Sequence, residues 1–85
     1  MAQRIVIRFP ADQSHDYYTK VLNFAEALWG PIVNAGLGKL SDTNRASEIV
    51  WVEVSARRHL GTVKGIIRKT LERHLLAADA MITTE

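Results

Sequence analysis

Ser47-Glu48-Ile49-Val50-Trp51-Val52-Glu53-Val54 carries the strongest strand signal in the chain. Val50, Val52 and Val54 fall on one face at period two, with Ile49, Trp51 and Glu53 on the other. A strand that is apolar on one face and nearly so on the second belongs in the middle of a sheet. The remaining elements are read outward from it.

Upstream, Arg4-Ile5-Val6-Ile7-Arg8-Phe9-Pro10 alternates in the same way, Ile5, Ile7 and Phe9 against Arg4, Val6 and Arg8. Pro10 has no N–H for the ladder and stops this first strand. Asp12 or Ser14 can cap a helix that follows. Its apolar positions, Tyr17, Tyr18, Val21, Leu22, Ala25, Leu28, Trp29, Ile32 and Val33, recur at three and four residues. Gly30-Pro31 predicts a kink or stop, and Gly36 suits the left-handed closing position. Leu37 to Ser41 reads as a weak second strand, and Asp42-Thr43-Asn44-Arg45 as a turn into the third.

Downstream, a second helix is expected from the Ser55–Leu60 region to about Ala78, burying Leu60, Val63, Ile67, Leu71, Leu75 and Ala78. Gly61 and Gly65 weaken it intrinsically, and Gly65 is expected to let it sit close on the sheet. Asp79 is a candidate end, and Ala80-Met81-Ile82-Thr83-Thr84 reads as a short last strand, with a frayed tail as the alternative. The order strand–helix–strand–strand–helix–strand suggests an α+β domain of the ferredoxin-like, split βαβ kind, spanning residues 1–85. Its sheet is expected to be antiparallel or mixed, with both helices on one face and the last strand short or missing. The first and third strands are expected to lie adjacent and parallel through a right-handed crossover.

Eighty-five residues make room for one thin core. No apolar run reaches the ~18 residues of a membrane span, and the N-terminal residues lack the apolar stretch of a secretory signal. The chain has no cysteine. That excludes a disulfide framework, a thiolate metal site and a cysteine nucleophile, and points to the cytoplasm. Net charge is +2 but uneven: residues 57–73 hold Arg57, Arg58, Lys64, Arg68, Lys69 and Arg73 against Glu72 alone.

With helices on one side, the open side of the sheet would present Arg4, Val6, Arg8, Ile49, Trp51 and Glu53. A mid-sheet Trp and Ile facing water is unusual for a monomer, so a protein surface is expected there, from a second copy or another partner. The alternative is single-stranded nucleic acid, stacked on Trp51, with Arg4, Arg8 and the basic second helix meeting phosphates. That helix surface is, in the plainer reading, simply solvated. A third reading is a small enzyme or ligand binder with an inter-subunit site drawn from His15, Tyr17, Tyr18 and His59. These residues share no motif spacing. His15, His59 and His74 lie too far apart in sequence for a zinc motif, and Gly36-Leu37-Gly38 precedes a strand rather than the helix a phosphate-cradling turn requires. No catalytic residue, metal or cofactor is expected.

Overall fold

The computed structural model describes residues 3–10, 14–40 and 49–85. Asp12, the turn Asp42–Arg45 and the start of the expected third strand, Ser47 and Glu48, lie outside the described residues. The elements are β1 (Gln3–Arg8), α1 (His15–Ala27), a π-helical turn (Trp29–Asn34), β2 (Gly38–Leu40), β3 (Ile49–Val54), a 3₁₀ turn (Arg57–His59), α2 (Leu60–Arg73) and β4 (Met81–Thr84). The last strand is therefore present.

The chain forms an α+β domain with a four-stranded sheet in the order β2-β3-β1-β4. Each neighbouring pair is antiparallel. The expected adjacency of β1 and β3 is found, but they run antiparallel, from Gln3↔Val54 to Arg8↔Ile49. Because β3 runs against both β1 and β2, those two are parallel to each other. The crossover through α1 thus joins β1 to β2, and β3 folds back into the gap between them.

That register decides both faces. Ile5 and Ile7 sit opposite Val52 and Val50, and all four join one buried core with Val21, Phe24, Ala25, Leu28 and Ile32 and with Val63, Ile67, Leu71 and Leu76. Both helices therefore cover one side of the sheet. Phe24, absent from the expected stripe, is fully buried and packs edge-on to Phe9 at 5.9 Å and His74 at 6.4 Å. Trp29, which the stripe places inside, is 46% exposed.

Ser14 caps α1: its Oγ accepts the Tyr17 N–H at 3.2 Å. The α-helix then gives way where Pro31 has no N–H to donate. The chain widens into the π-helical turn instead of stopping sharply. It closes with Leu37 N–H donating to Ile32 C=O at 2.9 Å and Gly36 N–H to Val33 C=O at 3.1 Å, with Gly36 at φ +77°. This is the Schellman closure, with glycine in its left-handed position.

α2 closes identically but five residues earlier than expected. Leu76 N–H donates to Leu71 C=O at 2.9 Å and Leu75 N–H to Glu72 C=O at 3.2 Å, with Leu75 at φ +59°. Leu75 is 77% exposed and Ala78 is exposed; Leu76 takes the core position instead. Reversing the chain here returns it to β4 on the free edge of β1. Gly65 does not serve close packing, since a Cβ there would meet nothing. Gly38 does: a Cβ on it would run into the Glu53 carbonyl oxygen across the β2–β3 ladder.

Two substitutions should therefore move stability in opposite directions. Leu75→Gly relieves a left-handed leucine that buries almost nothing, and should raise stability by about 0.5–1 kcal/mol. Gly38→Ala forces the β2 edge away from β3 and should lower it by about 1–3 kcal/mol. Thermal unfolding followed by circular dichroism checks both. A lower melting temperature for Leu75→Gly would contradict the assignment of strain there.

Candidate interaction face

The side of the sheet away from the helices is laid out in cross-strand rows. Arg8 stands between Ile49 and Met81; Val6 stands between Trp51 and Thr83; Arg4 stands opposite Glu53, which in turn faces Lys39. All six residues expected on this face are found on it, joined by Lys39, Met81 and Thr83 from the two edge strands. Those three were missed because the weak edge strands gave no firm register.

The apolar side chains are unevenly exposed. Met81 is 64% and Ile49 41% exposed, and both flank Arg8. Val6, expected to be open, is only 4% exposed. The Arg4 guanidinium lies 4.4 Å from the centre of the Trp51 ring. This cation–π contact contributes on the order of 0.5–1 kcal/mol at a partly exposed site. It also occupies a stacking surface that a nucleic-acid base would need.

The basic residues of the second helix are elsewhere. Arg68, Lys69 and Arg73 are exposed on α2, as are Arg57 and Arg58 in the 3₁₀ turn, while Lys64 is half-buried. α2 packs on the covered side of the sheet, so the charges it carries, Lys64, Arg68, Lys69 and Arg73, lie on the side of the domain away from the Trp51 face. Lys69 and Arg73 border a groove of about 170 Å³ with Pro31, Ile66 and Thr70. A second depression, of about 310 Å³, is lined by Gly36, Gly38, Lys39, Glu53, Val54 and Ser55 at the end of β3. Ser55 Oγ is already engaged there, donating to Gly36 C=O at 3.0 Å.

His15, Tyr17 and Tyr18 lie at the start of α1, beyond the C-terminal end of β1, whereas His59 precedes α2, beyond the C-terminal end of β3. The antiparallel β1–β3 pair puts those two ends a strand length apart, about 20 Å. One chain does not bring them together. Among the described residues, no group of three or more His, Asp or Glu side chains is placed to hold a metal ion, and no helix is long and apolar enough to cross a membrane.

Tyr17 has a perturbed environment. Its hydroxyl is buried and makes no hydrogen bond of ordinary length and angle. Burial first, and then the nearby Asp79 carboxylate, raise its pKa above 10.0. Asp79 lies in the turn before β4, so this contact ties the start of α1 to the α2–β4 connection. It reads as core packing with a polar tip rather than as a catalytic group.

No protein-family model, no curated protein and no solved structure matches the chain. The assignment of function therefore rests on the face itself.

The Tyr17 environment has a consequence at alkaline pH. The folded state holds the phenolic proton more tightly than the unfolded chain does, so this contribution is complete below about pH 10 and is lost as pH rises through the raised folded value. Tyr17→Phe should match or slightly exceed the parent stability at pH 7 and lose less of it between about pH 9 and pH 11. Urea unfolding across that range measures it. Parallel pH profiles for the two proteins would refute the burial of this hydroxyl.

Proposed function

We propose that this chain is a non-enzymatic protein-interaction module, built on a ferredoxin-like frame, that associates through the open face of its sheet. The observation that carries the reading is the exposure of Met81 and Ile49 on either side of Arg8, on the face that neither helix covers. Exposed methionine and isoleucine grouped with Trp51 and arginines is the composition of an interface centre rather than of a solvated surface. The element order and the neighbours in the sheet, with β3 inserted between the parallel β1 and β2, support the frame.

Nucleic-acid binding is the weaker reading. It asks Trp51 to stack bases while the basic helix tracks phosphates, yet these groups lie on opposite sides of the sheet. A base would also have to displace Arg4 from the indole. The basic surface then serves as a solvated helix face.

Tryptophan fluorescence separates these readings. Titration with mixed-sequence single-stranded RNA and DNA at low salt should leave emission unchanged. A hydrophobic-surface dye should bind the folded protein and lose that binding in Ile49→Lys/Met81→Lys. Quenching by nucleic acid that weakens steeply with salt would overturn the proposal, as would dye binding unaffected by those two changes.

A further inference from the structure

Resting on that reading, we infer that the partner presents an extended segment with an acidic side chain, and that this segment adds to the sheet along the outer edge of β4 with its carboxylate directed to Arg8. The backbone supplies the first half of the argument. Among the described residues β4 ends the sheet, with β1 on its inner side. Glu85 N–H donates to Arg4 C=O at 2.8 Å, so Arg4 and Glu85 form a hydrogen-bonded pair in the register that sets Ile5 opposite Thr84. Such pairs alternate with non-bonded ones along an antiparallel ladder. Met81 and Thr83 therefore turn their N–H and C=O groups to β1, while Ile82 and Thr84 turn theirs outward. Outward groups of this kind are the template on which an added strand pairs. The residues of β4 are Met81, Ile82, Thr83 and Thr84, with no charge and no proline, and their register against β1 runs without a bulge. These are the devices that usually protect an edge. The opposite edge has one of them: β2 is three residues long and exposes Lys39.

Charge supplies the second half. The open face carries Arg4, Arg8 and Lys39 against Glu53 alone, and Glu53 already stands between Arg4 and Lys39 in its own row. Arg8 is exposed and stands between Ile49 and Met81, so its cross-strand neighbours offer it no carboxylate. A strand added beside β4 places one residue in that same row, beyond Met81 and two strand spacings, or about 9.5 Å, from Arg8. That span is within the joint reach of an arginine and a glutamate side chain, and the pair would form a charge-assisted hydrogen bond. The next residue of the segment falls opposite Ile82, on the side of the sheet that the helices cover. Ile82 is half-buried there, so an apolar side chain beside it extends the core outward. The recognised pattern is therefore an acidic residue next to an apolar one in an extended chain. A basic residue in the Arg8 row would meet a like charge instead.

The test is fluorescence anisotropy of a short fluorescein-labelled peptide, alternating valine with glutamate and threonine, titrated with the full chain from about 1 µM to about 1 mM. The peptide should bind, and its counterpart with lysine in place of glutamate should bind about tenfold more weakly. Arg8→Glu should reverse that preference, and the reversal also shows that the variant is folded. Thr84→Pro removes an outward N–H and leaves the ladder to β1 intact, so it should fold as the parent does and weaken binding about fivefold or more. Amide hydrogen exchange should show Ile82 and Thr84 gaining protection when the glutamate peptide is added. Equal binding of the two peptides, or binding of neither, would overturn the acidic-segment inference. Ile82 and Thr84 amides that stay unprotected in the presence of bound peptide would overturn addition at the edge. Protection of those amides at high protein concentration without peptide would give the edge to a second copy instead, against the inference. The open-face reading is judged separately, by the hydrophobic dye and the Ile49→Lys/Met81→Lys variant in the absence of any peptide. Dye binding lost in that variant, together with no peptide binding to the parent, would sink this inference and leave the open-face reading standing.

Discussion

The pairing of β1 with β3 is the constraint on which the rest of the molecule depends. Its register, Gln3↔Val54 through Arg8↔Ile49, sends Ile5, Ile7, Val50, Val52 and Val54 to one side and Arg4, Val6, Arg8, Ile49, Trp51 and Glu53 to the other. A slip of one residue would exchange the two sets on the slipped strand. The first set is what the helices pack upon. The second is what they leave to solvent or to a partner. Core and open face are therefore two consequences of one ladder.

Around that ladder, the connections are placed by backbone chemistry rather than by hydrophobic pattern. The chain leaves the π-helical turn and α2 through the same six-to-one closure, once with Gly36 and once with Leu75 in the left-handed position. Glycine adopts that conformation freely, while leucine does so at a cost of about 1–2 kcal/mol. The burial of Leu76 behind Leu75 helps to offset it, since both Leu71 and Leu76 join the core. At the other edge, Gly38 lets β2 approach the Glu53 carbonyl, so the short second strand can pair at all.

These particulars explain what could be read from the sequence. The two central strands, the cap at Ser14, the closing role of Gly36 and the residues of the open face all follow from period-two alternation or from residues with one strong conformational preference. The end of α2 did not, because Leu75 and Leu76 are chemically the same, and periodicity alone favours the one that continues the helix. Phe24 escaped the stripe drawn through Val21, Ala25 and Leu28, although it borders them on the helix surface. The parallel pairing of β1 and β3 failed because the crossover was closed on the wrong strand: a hairpin partner can insert between two strands that a crossover joins. Lys39, Met81 and Thr83 joined the face only once the edge strands had a register.

The functional account follows from the same asymmetry. The helices cover one face of a thin sheet, and the residues left on the second are neither polar enough to be an ordinary surface nor buried enough to be a core. Arg4 over Trp51 covers part of that face from within the chain, while Ile49 and Met81 stay exposed around Arg8. The central claim, that the β1–β3 ladder is the structural spine and the edges are secondary, is tested most directly by native-state amide hydrogen exchange. The account predicts the slowest exchange, approaching that of global unfolding, for the hydrogen-bonded amides of Ile5–Ile7 and Val50–Val54, with β2 and β4 exchanging through smaller, local openings. Central-strand amides that exchange as fast as those of Met81–Thr84, with protection confined to the helices, would contradict it.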